Sequence, residues 1–335
     1  MKEIYHKART LMKGYCRVCP ECNGNACTGE VPGMGGLGTA SAFKDNLAAL
    51  KEVKFNMRLV HDVTEPDTKV NILGRELALP VLAAPIGGVS FNMGGEISEQ
   101  EYVRAIIRGC RDKGTLGCTG DGVPDFIHET GLAEIKALKG HGIPFIKPWE
   151  DQELFEKIEK VRASGAGIMG VDIDAAGLVT LKQMGRPVSP KRVEKLGEII
   201  KKADMTFILK GVMTVADAVA AVDAGADAIV VSNHGGRVLD FTPGSARVLP
   251  DIARAVGDRI TVLADGGVRS GGDVLKLLAL GAEAVMIGRP FSVAAVGGLK
   301  DGVGAYIEKI KMELIQAMVL TGTQRADQVK DTILF

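Results

Sequence analysis

The sequence carries no excess of charge: 41 Lys and Arg face 41 Asp and Glu over 335 residues. Binding to nucleic acid or to a charged membrane surface usually needs a basic face, so neither partner is expected. No apolar run approaches the ~18 residues that a spanning helix requires. The opening residues, Met1 to Lys7, lack the apolar stretch of a signal peptide, so a cytoplasmic location is expected. No GxGxxG follows the first strand-like run, which weighs against a doubly wound dinucleotide fold. No low-complexity linker divides the chain.

What is present is a hydrophobic content of 46%, enough for a large core, arranged in a repeat. Short apolar runs recur at 81–85, 114–118, 144–147, 167–172, 206–210, 228–232, 260–265 and 284–288. Helical patterns separate them, and those at 215–224 and 272–280 end at Gly225-Ala226 and Gly281-Ala282 before the next run. Eight alternating β/α units predict an α/β fold, a (β/α)8 TIM barrel over residues 76–335. Residues 1–75 fall outside the repeat and read as a Cys-containing extension packed on the barrel. It holds a Gly-rich stretch at 33–38 and a helical segment near Ala42 to Val53.

The ends of the strands carry the chemistry. Ser232-Asn233-His234-Gly235-Gly236-Arg237 places an imidazole that can accept a proton near neutral pH three residues from a guanidinium that can grip a carboxylate. Asp265-Gly266-Gly267-Val268-Arg269 and Gly288-Arg289-Pro290 end adjacent strands, where barrels commonly build phosphate sites. Lys210 ends the fifth strand and would face the electron-rich end of a flavin ring. Asp172 ends the fourth strand and is the expected partner of His234.

Together with Ala84-Pro85, Val171-Asp172 and Lys210-Gly211-Val212, these motifs resemble the FMN-dependent 2-hydroxy acid oxidases and dehydrogenases, from about residue 40 to the C-terminus. Asp62-Val63-Thr64 and Ile72-Leu73-Gly74 also match that family's lead-in to the barrel. The resemblance implies FMN as cofactor, a small hydroxy acid or related hydroxy compound as substrate, an electron acceptor of unspecified kind and a homo-oligomer, tetramer or octamer. It implies His234 as base, Asp172 as its carboxylate partner, Arg237 as the substrate-carboxylate ligand and Lys210 as the flavin-ring contact. Ser232 would lie by the ring, Asp265 by the ribityl chain, and Gly267, Arg269, Gly288 and Arg289 around the phosphate, with Gly266 also against the cofactor. Ala84, Pro85, Ile86 and Gly87 would lie against the flavin face. Lys147 ends the third strand, where the family usually supplies a flavin-binding Gln.

Several positions depart from the family. The stretch Ala175-Ala176-Gly177-Leu178-Val179 has no counterpart of a second carboxylate-binding Arg. Phe145-Ile146-Lys147-Pro148-Trp149 replaces the usual Gln and Tyr, Cys118-Thr119-Gly120-Asp121 lacks an aromatic residue, and no N-terminal active-site Tyr is evident. These departures keep open an FMN-dependent isomerase or reductase, or a non-enzymatic flavin and cysteine redox sensor. The chain also carries Cys16-x2-Cys19-x2-Cys22-x4-Cys27, four of its six cysteines. Disulfides are not expected in a cytosolic chain. Four thiolates suit a zinc site, and the CxxCxxC run suits an iron–sulfur cluster, so both metals stay open, as does the absence of one.

Overall fold

The computed structural model describes residues 1–178, 181 and 184–335. Eight parallel strands close into a barrel: β3 (Val81–Ile86), β4 (Gly117–Thr119), β5 (Ile143–Ile146), β6 (Ile168–Asp172), β7 (Thr206–Val212), β8 (Ala228–Val231), β9 (Thr261–Ala264) and β10 (Ala284–Ile287). Closure is made by β10 against β3, with Val285 opposite Val81. Each strand coincides with one of the eight apolar runs. Strands buried on both faces carry continuous apolar sequence instead of alternation, and that made them legible. The (β/α)8 expectation holds.

Ahead of the barrel, β1 (Val70–Ile72) and β2 (Arg75–Leu77) form an antiparallel hairpin. The expected boundary near residue 75 therefore falls inside a hairpin. No helix among the described residues is long and apolar enough to cross a membrane.

The extension is fastened to the barrel at two helices. The first, α1 (Lys2–Leu11), packs on the last helix, Arg289–Thr321, where Gly297 and Gly298 leave room for Ile4. The second, α2 (Ser41–Glu52), lies along the loop that follows β8. Its own N-terminus has no side-chain cap, and Ala40 before it is left-handed. Asp240 of the barrel serves instead, accepting from the amides of Thr39 at 2.6 Å and Ser41 at 2.9 Å. Asn46 donates to Asn233 Oδ1 at 2.8 Å and accepts from the Ser245 amide at 3.1 Å. Arg247 clasps Asp45 and Glu52 from the outside. Gly236 and Gly244 have no side chain because the backbone of α2 occupies the place of a Cβ, that of Phe43 at the first and Asp45 at the second.

Asn46 is fully buried, and its amide satisfies groups at both ends of the loop that follows β8. Asn46→Ala would leave those partners unpaired, at about 1–3 kcal/mol for each buried group stranded. Urea unfolding should show a loss of at least about 2 kcal/mol, whereas a loss below about 0.5 kcal/mol would mean that α2 is held mainly by its surface ion pairs.

Candidate active site at the barrel mouth

Strands β6 and β7 set Asp172 directly opposite Lys210. Both side chains are buried, with Lys210 Nζ 3.0 Å from Asp172 Oδ1 and 3.9 Å from Asp265 Oδ2. Burial pulls the ammonium down, but Asp172, Asp174 and Asp265 outweigh it and hold its pKa above the usual lysine range. Lys210 is therefore a fixed cation at the mouth.

Asp172 is consequently not the partner of His234. That role falls to Asp174, whose two carboxylate oxygens both lie 3.0 Å from His234 Nδ1. The reason is local. Asp172 is the last strand residue and meets the lysine opposite, whereas Asp174 sits in the 3-10 turn Ile173–Gly177 beyond it. There it lies over Gly211, where any Cβ would come within 2.5 Å of its carboxyl carbon. A side chain on Gly211 would displace the carboxylate. Burial pushes Asp174 up, but His234 and Lys210 more than cancel this and keep its carboxyl below the usual aspartate range. An ionised Asp174 accepts a hydrogen bond from Nδ1–H, so Nε2 carries the lone pair.

The ring is aimed by a strained loop. His234, Gly235 and Gly236 are left-handed in succession, at φ 57°, 63° and 77°. The His234 amide donates to Ser232 Oγ at 3.0 Å. A histidine rarely adopts that conformation without compensation, and the docked α2 supplies it.

The mouth also brings together most of the expected cofactor residues. One narrow cleft is lined by Ala84, Pro85, Ile86, Lys210, His234, Asp265, Gly266, Gly267, Arg269, Gly288 and Arg289, among others. Gly87, Lys147 and Ser232 lie outside that lining. Gly87 packs against Ile127 and Ser232 holds the His234 loop.

The Lys147 amide donates to Asp121, which also accepts from Trp149 Nε1 at 2.6 Å and Lys157 Nζ at 2.7 Å. A buried carboxylate thus organises the end of β5, where the family pattern has Gln and Tyr. Arg237 is already engaged: its guanidinium donates to the carbonyls of Gly33 and Gly35 and to Asn92 Oδ1. Of the segment without a second Arg, Ala175 to Leu178 are described, and Val179 lies outside the described residues.

Sequence comparison decides what these parts belong to. A family model described as FMN-dependent dehydrogenase matches residues 34–186 and 179–335. The chain belongs to that family. Among similar proteins, an L-lactate dehydrogenase of Caulobacter sp. (strain K31) is 34% identical over 90% of this chain and 92% of its own length. A 4-hydroxymandelate oxidase of Amycolatopsis orientalis is 32% identical over 87% and 88%. A crystal structure of mandelate oxidase superimposes with a TM-score of 0.82 at 28% identity, covering 100% of this chain and 97% of that one. This FMN-dependent dehydrogenase is an oxidoreductase acting on a CH–OH donor, as the resemblance implied.

The residues at the mouth fit FMN. Arg237, Arg269 and Arg289 have no carboxylate partner among the described residues. Burial, with Arg237 and Arg269 alongside, pulls the Arg289 guanidinium down to about 9. These half-buried guanidiniums donate to backbone carbonyls, those of Met34, Gly35 and Gly235 in the case of Arg289, so their charge is left without a counter-charge that a phosphate would supply. The helix that starts at Arg289 has no side-chain cap, so its first amides face the same place. Two further polar atoms, Asp265 Oδ1 and Arg269 Nε, are buried without a partner. A ribityl hydroxyl suits the first and a phosphate oxygen the second. Phe43 of α2, missed in the sequence, carries the Arg289 guanidinium over its ring at 4.1 Å.

The four N-terminal cysteines line one cavity of about 450 Å³, which shares Gly267, Arg269 and Arg289 with the cleft. None is in a disulfide. Cys110 and Cys118 are buried in the barrel as core thiols.

Asp174→Asn should retain FMN but slow flavin reduction by about 10²–10⁴-fold, because the imidazole loses its orienting charge. Asp172→Asn should slow it less. Anaerobic stopped-flow absorbance compares the two, and an equal or greater loss in Asp172→Asn would restore Asp172 as the partner of the base.

Proposed function

We propose that the chain oxidises the hydroxyl-bearing carbon of a 2-hydroxy acid to the 2-oxo acid, with His234 as base and Asp174 as its partner. The observation that carries this reading is the imidazole locked through Nδ1 at a cleft lined by cations. Nε2 takes the substrate proton, and the imidazolium that forms is stabilised by the ionised Asp174. Bound FMN supplies the acceptor for the electron pair that leaves the substrate carbon. Gly267, Arg269, Gly288 and Arg289 would hold its phosphate, Ala84, Pro85 and Ile86 would lie against its ring, and Lys210 would place a fixed positive charge beside that ring.

Arg237 remains the residue for the substrate carboxylate, but with part of its donor set taken by the extension. Losing a charge-assisted contact weakens binding by about 1.5–3 kcal/mol, roughly ten- to hundredfold. Glycolate and lactate offer few atoms to compensate, so a larger hydroxy acid is the preferred substrate. A second reading, an isomerase or reductase on the same FMN barrel, draws on that engaged arginine. The four cysteines are read as a metal site, zinc or iron–sulfur. Assembly as a homo-oligomer and a cytoplasmic location belong to the same proposal and rest on sequence alone.

Anaerobic bleaching of the flavin across a panel of 2-hydroxy acids tests the reaction and the substrate together. Larger acids should bleach it well and glycolate and lactate poorly, and a submillimolar KM for either small acid would contradict the substrate argument. His234→Gln should bind FMN normally yet reduce it at least about 10²-fold more slowly. A mutant as fast as the wild type would place the base elsewhere.

A further inference from the structure

The loop from Cys16 to Cys27 is not absorbed by the hydroxy acid chemistry. It carries Cys16, Cys19, Cys22 and Cys27, each half-buried and each lining the same cavity of about 450 Å³. A solvated loop would have no reason to turn four thiols toward one space.

Two sulfurs already receive hydrogen bonds. The Val18 amide donates to Cys16 Sγ at 3.4 Å, and Val18 adopts φ 45°, a left-handed conformation that a β-branched residue takes only under constraint. Arg269 Nη2 lies 3.4 Å from Cys22 Sγ. Both contacts fix the direction in which a sulfur faces the cavity. Arg9, Arg269 and Arg289 also line the cavity without carboxylate partners among the described residues. Its charge is therefore set for an anionic occupant such as a thiolate-ligated centre.

The spacing of the sulfurs selects between metals. Four thiolates on one zinc at about 2.3 Å stand about 3.8 Å apart. Among the described residues, the group of three or more candidate ligands that closes to within 4.8 Å is Asp172, Asp174 and His234, so no three of the four sulfurs do. A multinuclear cluster binds each thiolate to its own iron or shares them between irons, and so holds them further apart. The Cys16-x2-Cys19-x2-Cys22 run has ferredoxin-type spacing, although four residues instead of three precede Cys27 and no Pro follows it.

We infer that this loop holds an iron–sulfur cluster, beside the arginines assigned to the FMN phosphate. The inference rests on reading the four cysteines as metal ligands, but it does not depend on the choice of substrate.

The test is metal analysis of the full-length protein, purified without oxygen and reconstituted with ferrous iron and sulfide. Iron and acid-labile sulfide should appear in equal amounts, about two to four of each per chain, with an electron paramagnetic resonance signal after dithionite reduction. Cys19→Ser should lose most of that iron, whereas Cys110→Ala, in the barrel wall, should keep it. Zinc at one per chain without sulfide would overturn the inference, as would folded, FMN-loaded protein with neither metal. FMN content is read in the same samples. Cluster without FMN would uphold this inference and sink the flavin reading, and FMN without cluster would do the reverse.

Discussion

The site depends on the contact between α2 and the loop that follows β8. Of three successive left-handed residues, Gly235 and Gly236 take that shape freely and His234 needs support. The loop holds its shape because Asn46 pins Asn233, the backbone at Phe43 fills the space left by Gly236, and Asp240 caps α2 in return. The extension and the base are thus parts of one construction. Removing α2 would leave the barrel strands intact and the imidazole unaimed.

A second constraint is charge balance in a dry place. Lys210 stays protonated because three aspartates surround it, and Asp172 forms an ion pair with that lysine and no hydrogen bond with the histidine. Asp174 is left to orient the ring. The three arginines on the other side meet backbone carbonyls and no carboxylate among the described residues, so their positive charge is left for an anion to balance. Lysine, aspartates and histidine thus make one half of the mouth, with mixed charge, and the arginines make a cationic half.

The barrel was legible because parallel strands buried on both faces write themselves as apolar runs, and all eight appeared where those runs lie. Most of the residues expected around a cofactor share one cleft for a related reason: they sit at strand ends, where position in the repeat gives direction. What sequence could not reveal was which of two carboxylates two residues apart meets the histidine. That choice turns on Gly211, which gives Asp174 a place to lie, and on the register that puts Asp172 across from Lys210. The doublet Asp172-Ile173-Asp174 was the available signal. Asn46, Phe43 and Asn92 were invisible for another reason, since each acts across nearly 150 residues or more of chain.

The central claim is that His234, oriented by Asp174, takes the substrate proton in front of a flavin held by Arg269 and Arg289. A crystal structure of the FMN-loaded protein with a 2-oxo acid product tests this most directly. The product oxygen should lie within hydrogen-bond reach of His234 Nε2, with Asp174 on Nδ1 and the FMN phosphate between the two arginines. A product oxygen out of reach of the imidazole, or an imidazole turned onto Asp172, would contradict the account.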